Sequence, residues 1–154
     1  MNSIHLEYGR SLYCDDIKLW ATRCLKSLPA GTEHLVSAGS SGCALASAML
    51  ALSENPLTHL CLFMKSGNSH RGYTMTGRSR GVPSLYHASA YVFVDDLIDT
   101  GTTLESVRTT LHTEHATLTA AVVCRLDWVN SARLDQLRKL VPIIIAGESQ
   151  WQNY

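Results

Sequence analysis

Two adjacent carboxylates and the small polar loop after them are the residues of this sequence best suited to chemistry. Asp95 and Asp96 come directly after the apolar run at residues 91–94, and Asp99 precedes the Thr/Gly-rich residues 100–103. The apolar run predicts a buried strand, and the loop predicts a turn into a helix. Because a helix N-terminus offers free N–H groups and the positive end of a dipole, this turn suits a phosphate.

Carboxylates beside a phosphate seat have two obvious uses. Asp95 and Asp96 could accept hydrogen bonds from sugar hydroxyls, or they could hold a cation that bridges phosphates. The alternative is an ordinary strand and turn with incidental acids. However, two adjacent carboxylates after a buried strand carry a cost of burial that a plain turn avoids. The pattern therefore favours a site for a phosphorylated sugar.

Residues 94–103, VDDLIDTGTT, resemble the signature of the type I phosphoribosyltransferases. That signature is an apolar strand, two acidic residues, two apolar residues and a Thr/Gly-rich loop. The resemblance implies an enzyme that transfers a 5-phosphoribosyl group from phosphoribosyl pyrophosphate to a nucleobase and releases pyrophosphate, in nucleotide salvage or synthesis. It also implies Mg²⁺ as cofactor, held directly or through pyrophosphate by Asp95 and Asp96, which bind the ribose. It assigns the 5′-phosphate to Thr100, Gly101, Thr102 and Thr103.

Asp99 is the residue of the motif that indicates which nucleobase the protein uses. In the branch of the family that acts on 6-oxopurines, an aspartate here lies near the base and can exchange a proton with a ring nitrogen, which favours hypoxanthine or guanine. The alternative role is a helix N-cap, for which aspartate is a favoured residue. The chain departs from that branch because its part after Cys124 is short. We therefore expect residues 1–34 to supply the hood over the base.

Two further segments are candidates for binding pyrophosphate. The small residues 39–42 open a predicted helix, so their N–H groups could cradle phosphate oxygens, although a simple tight turn has the same composition. Residues 66–84 are glycine-rich, aperiodic and long for a loop, which favours a functional lid over a solvated basic loop. The lid contains Arg71, Arg78 and Arg80 and no acid. By resemblance, the pyrophosphate residues are Gly39, Ser40, Ser41, Gly42 and Lys65, and the catalytic residues are Asp99, Lys65 and Arg71.

Base contacts are expected from the end of the strand beside the signature strand. Arg125, Asp127 and Trp128 lie there, where a base could stack and form hydrogen bonds. In the family, some lid residues serve a neighbouring subunit, so we expect a homodimer.

These residues need a scaffold in which strands alternate with helices. Periodicity predicts helices at 11–28, 43–53, 102–115 and 131–140, and strands at 35–38, 60–64, 91–94, 118–124 and 142–146, with a short return strand at 85–88. This alternation predicts an α/β fold, a three-layer sandwich with a mostly parallel central sheet and a short antiparallel edge strand next to the flexible loop. It is a Rossmann-like architecture, as the resemblance also implies.

Length, charge and cysteine content indicate the number of domains, the kinds of partner and the cellular compartment. The chain has 154 residues, enough for a single domain at 1–154 with its core at 35–147. Its 13 basic and 13 acidic residues balance, so no global field favours nucleic acid or a membrane surface. The five cysteines are scattered and are expected to be reduced thiols. Without an apolar segment of signal-peptide or membrane-span length, we expect a cytoplasmic protein.

Two other functions compete with the enzyme. One is a non-catalytic relative that binds a nucleotide or phosphoribosyl pyrophosphate and acts as a regulator or as an RNA-binding protein. The other is a plain nucleotide-binding α/β module with a real phosphate seat. A shared fold does not separate them, whereas the basic lid favours catalysis.

Overall fold

Ten helices and strands make up the part of the chain that the computed structural model describes, which is residues 14–64, 73–75, 90–127 and 129–146. The strands are β1 (His34–Ala38), β2 (Thr58–Met64), β3 (Tyr73–Met75), β4 (Ala90–Ile98), β5 (Thr117–Leu126) and β6 (Ile143–Ile145). The helices are α1 (Cys14–Ser27), α2 (Gly39–Leu52), α3 (Thr102–Thr113) and α4 (Ser131–Leu140).

All six strands form one sheet in the order β3-β2-β1-β4-β5-β6. β3 pairs antiparallel with β2, and every other neighbouring pair is parallel. The predicted mostly parallel sheet with an antiparallel edge strand is therefore confirmed. That edge strand lies within the predicted lid segment, whereas the predicted return strand at 85–88 lies outside the described residues. The chain moves outward from β1 in one direction and from β4 in the other, so the switch point lies between these two strands.

Apolar residues cover both faces of the sheet. β4 alternates between them, with Tyr91 and Phe93 in one cluster and Val92 and Val94 in the other, as a strand buried on both faces must. The first cluster includes Leu104, Val107 and Leu111 from α3 and Leu137 from α4. The second includes Ala21 and Cys24 from α1 and Leu45, Ala46 and Met49 from α2. Two helices on each face make the predicted three-layer sandwich.

Helix α1 belongs to one of these outer layers. Its buried residues Ala21 and Cys24 pack in the same cluster as α2 and β5, because the apolar stripe at helical spacing needs a partner surface. In the described part of the chain no helix is long and apolar enough to cross a membrane. A hood over the base formed by residues 1–34 stays a prediction, since residues 1–13 lie outside the described part.

Two boundaries near the expected site differ from the sequence prediction. β4 continues through Ile98, so Asp95 and Asp96 lie within the strand rather than after it. The reason is the pairing with β5, which extends to Ile98 opposite Leu126 and supplies backbone hydrogen bonds despite the polar side chains. α2 begins at Gly39, so the small residues 39–42 form its first turn instead of a loop before it.

Candidate active site

Two helix N-termini meet at the switch point of the sheet. α2 follows β1 directly, and α3 follows β4 after a short turn, so both helices begin at the carboxyl edge of adjacent parallel strands. Both turns use a glycine at positive φ, with Gly39 at 74° and Gly101 at 80°. The N-cap residues are Ala38 and Gly101, whose side chains cannot cap a helix. Both N-termini are therefore suited to accept an anion.

Asp95 and Asp96 form a buried acidic pair beside these helices. Their exposed fractions are 8% and 3%, and the backbone N–H of Asp96 donates to Oδ1 of Asp95 at 2.9 Å. Burial raises the pKa of Asp95 well above its usual value, and the side-chain hydrogen bond with Asp96 and the charge of Asp96 raise it further. Burial thus disfavours the charged form of the Asp95 carboxyl, and the neighbouring Asp96 adds to this effect.

One oxygen of this pair lacks a partner. Oδ2 of Asp96 is buried and makes no hydrogen bond within the described part of the chain. A buried carboxylate oxygen without a donor costs free energy, so an orphaned atom of this kind marks a position where a ligand can compensate. A sugar hydroxyl or a cation would do so. The role of the pair in binding ribose stays a prediction.

The first turn of α2 contacts the acidic pair. A Cβ placed on Gly42 would lie 2.9 Å from Oδ1 of Asp95 and 3.2 Å from the carbonyl oxygen of Val94. The hydroxyl of Ser37, at the end of β1, also donates to Sγ of Cys43 in the same turn at 3.2 Å. The structure therefore brings two sets of predicted residues together, the ribose-binding acids and the small residues of the pyrophosphate turn, namely Gly39, Ser40, Ser41 and Gly42.

The Thr/Gly-rich turn after β4 is held tightly against α4. Gly101 is buried, and a Cβ at this position would lie 2.4 Å from Cδ1 of Leu137. Thr100 and Thr102 share a hydrogen bond between their hydroxyls at 2.9 Å. Asp99 is exposed, and the N-cap of α3 is Gly101, two residues further on. Asp99 therefore does not have the capping role that was its alternative.

The end of β5 lies next to this turn. Arg125 pairs with Leu97 in register, and its Nε is buried without a hydrogen-bond partner in the described residues. The backbone N–H of Asp127 donates to the carbonyl oxygen of Ile98 at 2.8 Å, which joins the segments after β4 and β5. Arg125 and Asp127 thus lie beside the site as predicted, although Arg125 is part of the strand. Three predicted residues, Lys65, Arg71 and Trp128, lie outside the described part of the chain, as do Arg78 and Arg80.

Arg133 on α4 is a residue near the site that the sequence did not predict. Its Nε donates to the carbonyl oxygen of Thr100 at 2.9 Å. Its two terminal nitrogens reach the carboxylate of Glu105, at 3.0 Å and 2.8 Å. This hydrogen-bonded guanidinium lowers the pKa of Glu105. No local sequence pattern connects Arg133 with Thr100 or Glu105, which lie about thirty positions earlier in the chain. Only Asn130 was recognisable from the sequence, as an N-cap, and its side chain accepts a hydrogen bond from the N–H of Arg133.

Magnesium fits the chemistry of the acidic pair. Carboxylate oxygens are hard ligands, and Mg²⁺ usually takes one or two of them together with waters and substrate phosphates. Among the described residues no group of three or more His, Cys, Asp or Glu could hold a metal ion. Asp95 and Asp96 would therefore hold Mg²⁺ only together with oxygens of a substrate or of water.

A cavity of about 520 Å³ lies at the opposite edge of the sheet. It is lined by residues 29–34 and by Ala90, Val92 and Thr119, near the amino ends of β1, β4 and β5. Ligands of open parallel sheets bind at the carboxyl edge. The chemistry of the acidic pair and the helix N-termini, rather than the size of a cavity, therefore locates the candidate site.

Solved structures share this arrangement of strands and helices. The orotate phosphoribosyltransferase from Aeropyrum pernix is similar with a TM-score of 0.64 and 14% identity, over 84% of this chain and 69% of that one. The adenine phosphoribosyltransferase from Leishmania donovani is similar with a TM-score of 0.63 and 13% identity, over 92% and 72%. For a phosphoribosyltransferase from Corynebacterium diphtheriae the values are 0.63, 11%, 88% and 77%.

These neighbours are enzymes of the pentosyltransferase type. No family model and no curated protein sequence matches this chain, so the likeness rests on three-dimensional structure. It confirms the fold that the signature at residues 94–103 implies. The chain has the fold of the phosphoribosyltransferases, with residues 94–103 beside the switch point of its sheet.

Proposed function

We propose that this protein is a phosphoribosyltransferase, which transfers a 5-phosphoribosyl group from phosphoribosyl pyrophosphate to a nucleobase and releases pyrophosphate. The observation that carries the proposal is the buried Asp95–Asp96 pair, with an orphaned carboxylate oxygen, between two helix N-termini. One acidic pair and two anion seats match a ligand with two hydroxyls and a phosphate group at each end. The fold of the structural neighbours supports the same function.

Each part of the substrate has a proposed binding element. The ribose hydroxyls donate to Asp95 and Asp96, and the 5′-phosphate binds at the turn of residues 100–103 and the start of α3. The pyrophosphate binds at the first turn of α2 and, as the sequence predicts, at Lys65. The N–H groups at the two helix N-termini have fixed positions. By binding the phosphate groups at both ends of the substrate, they would orient the ribose between them without a covalent bond to the protein.

The proposed reaction is a displacement at C1 of the ribose. The bond from C1 to the pyrophosphate oxygen breaks, a bond from a base nitrogen to C1 forms, and the transition state has oxocarbenium character. Asp95 and Asp96 hold the ribose while Lys65 and Arg71 stabilise the leaving charge. Mg²⁺, when bound, would neutralise part of the charge on the pyrophosphate. The nitrogen loses its proton as the bond forms, and we propose that Asp99 accepts it.

The identity of the base is a finer proposal. Asp99 favours a 6-oxopurine, whereas the neighbours above include orotate and adenine phosphoribosyltransferases, which do not support that preference. We therefore propose a nucleobase as the acceptor and a 6-oxopurine as the first one to test, with Arg125, Asp127 and Trp128 contacting it. A homodimer, a role in nucleotide salvage and a cytoplasmic location stay predictions.

One experiment tests the function. The protein is incubated with Mg²⁺, phosphoribosyl pyrophosphate and each of a panel of nucleobases, and pyrophosphate release is followed. We expect release with one class of base and none from the Asp95→Asn, Asp96→Asn double variant, which should also lose phosphoribosyl pyrophosphate binding. The matched control is Asp135→Asn, on the exposed surface of α4. Tight binding without turnover on any base would instead favour the nucleotide-binding regulator.

A further inference from the structure

Arg133 joins α4 to the turn that starts α3. Its guanidinium makes three contacts, with the Thr100 carbonyl at 2.9 Å and with the two carboxylate oxygens of Glu105 at 3.0 Å and 2.8 Å. A planar guanidinium offers donors in a fixed fork, so it can satisfy a carbonyl and a bidentate carboxylate together, which a lysine ammonium cannot. Three contacts from one rigid group fix its position relative to the turn.

The hydrogen bond to Thr100 also determines the direction of the next N–H group. The peptide bonds described in this chain are trans, and in a trans peptide the carbonyl oxygen and the following N–H point in opposite directions. Since the Thr100 carbonyl faces Arg133, the N–H of Gly101 faces away from it. Arg133 thus keeps a negative carbonyl end turned toward α4 and presents a donor on the other side of the turn.

The ion pair with Glu105 also changes the charge at the N-terminus of α3. Glu105 lies in the first turn of α3, where its negative charge would repel a phosphate at the same N-terminus. The bidentate contact with Arg133 compensates that charge locally. Leu137 of the same helix fills the space beside Gly101, so α4 supports the turn by both polar and apolar contacts.

We propose that Arg133 is a positioning residue for the 5′-phosphate, which it does not touch, and that it acts by holding the Thr100–Gly101 peptide in the orientation that binds phosphate. The ligand in this statement rests on the proposed function, whereas the effect on the turn does not. Asn130 caps α4 directly at Arg133, and Asp127 bonds to Ile98. Hydrogen bonds therefore connect the segment that follows β5 to the segment that follows β4, which includes the turn of residues 100–103.

The first test uses ligand binding in the full chain. Arg133→Gln and Arg133→Lys are compared with wild type by calorimetry, with ribose 5-phosphate and with inorganic pyrophosphate as probes. We expect both variants to weaken ribose 5-phosphate binding about tenfold, as for a lost hydrogen bond from a charged donor. Pyrophosphate affinity should stay within about twofold, because its proposed seat at α2 is separate. Arg138→Gln, in the exposed last turn of α4, should match wild type.

Arg133→Lys separates positioning from simple charge. It keeps the positive charge and loses the fork, so wild-type affinity for ribose 5-phosphate in this variant would overturn the proposal. Glu105→Gln keeps the Thr100 hydrogen bond and removes a negative charge, so it should bind ribose 5-phosphate as well as or better than wild type. Equal losses for both probes in Arg133→Gln would mean general damage and would also overturn the proposal.

The second test needs no ligand. Amide hydrogen exchange at Glu105, whose N–H donates to the carbonyl oxygen of Gly101 at 3.1 Å, should become about tenfold faster in Arg133→Gln and Arg133→Lys. Exchange at Ala121, whose N–H donates to the carbonyl oxygen of Pro142 at 2.8 Å, should not change. Unchanged exchange at Glu105 would overturn the positioning role. If wild type binds neither probe, the proposed function fails, and the exchange result still decides whether Arg133 holds the turn.

Discussion

Oδ1 of Asp95 lies so close to Gly42 that a Cβ on residue 42 would be only 2.9 Å away from it. The contact joins the acidic pair on β4 to the first turn of α2, which are the proposed seats of ribose and pyrophosphate. A glycine at this position keeps the helix backbone close to the carboxyl group. The first turn of α2 can therefore pack this closely against Asp95 only because residue 42 has no side chain.

Substituting Gly42 by Ala should therefore damage both stability and binding. The added methyl group meets Asp95 and the backbone oxygen of Val94 at 3.2 Å, and backbone cannot move as a flexible side chain can. We expect a loss of roughly 1 to 3 kcal/mol in the free energy of unfolding, together with weaker phosphoribosyl pyrophosphate binding, measured by urea denaturation and calorimetry.

Gly31→Ala is the control for Gly42→Ala. Gly31 has φ of 78° and open space around its Cβ position, and it lines the cavity at the opposite edge of the sheet. Its substitution should cost about 1 kcal/mol through backbone strain alone and leave binding unchanged. Equal binding in Gly42→Ala and wild type would show that the contact with Asp95 has no functional importance.

Replacing Asp95 by Asn should stabilise the free protein at neutral pH while abolishing phosphoribosyl pyrophosphate binding. The pKa of Asp95 is raised in the folded state, chiefly by burial. Its contribution to stability is therefore full below its unfolded pKa and is lost as pH rises through the folded pKa. An amide has no charge to bury, so we expect Asp95→Asn to have a higher free energy of unfolding than wild type near pH 7.

Urea denaturation between pH 4 and 8 checks this prediction. The difference in unfolding free energy between Asp95→Asn and wild type should grow with pH and level off above the folded pKa of Asp95. Asp135→Asn, an exposed change of the same chemistry, should give a difference that hardly depends on pH. A constant difference for Asp95→Asn across this range would mean that Asp95 is already ionised in the free protein.

Gly101→Ala and Leu137→Ala should show strong energetic coupling. Gly101 has φ of 80°, and its Cβ would lie 2.4 Å from Leu137, so Ala adds both backbone strain and a steric clash. We expect Gly101→Ala alone to cost on the order of 3 kcal/mol. In the double variant the clash disappears and only strain and the cavity remain, so its loss in unfolding free energy should be smaller than the sum of the singles. Strict additivity would contradict the contact.

Asp99→Asn should reduce turnover far more than substrate binding. Asp99 is exposed beside the turn of residues 100–103 and does not cap α3. The proposed role in accepting the base proton would therefore be lost without disturbing the fold. We expect kcat to fall by about a hundredfold or more, with phosphoribosyl pyrophosphate affinity within about twofold. Single-turnover kinetics and calorimetry measure the two effects; equal losses in both would indicate a structural role.

Local sequence determined the elements and the location of the motif. Apolar runs such as residues 91–94 and helical stripes such as that of α1 predict strands and helices because burial on one or both faces requires those periods. Strand alternation then predicts a parallel sheet. The motif VDDLIDTGTT predicts a ribose site at Asp95 and Asp96 and a phosphate site at residues 100–103 without any tertiary information, because phosphate binding at a helix N-terminus depends on residues adjacent in the chain.

Tertiary structure alone decided how these pieces support one another. Pairing with β5 extended β4 through the two aspartates and buried them, which raised the pKa of Asp95. The contacts of Gly42 with Asp95, of Leu137 with Gly101 and of Arg133 with Thr100 join residues tens of positions apart. Such contacts leave no local pattern, because they depend on how helices pack against the sheet and not on the spacing of residues along the chain.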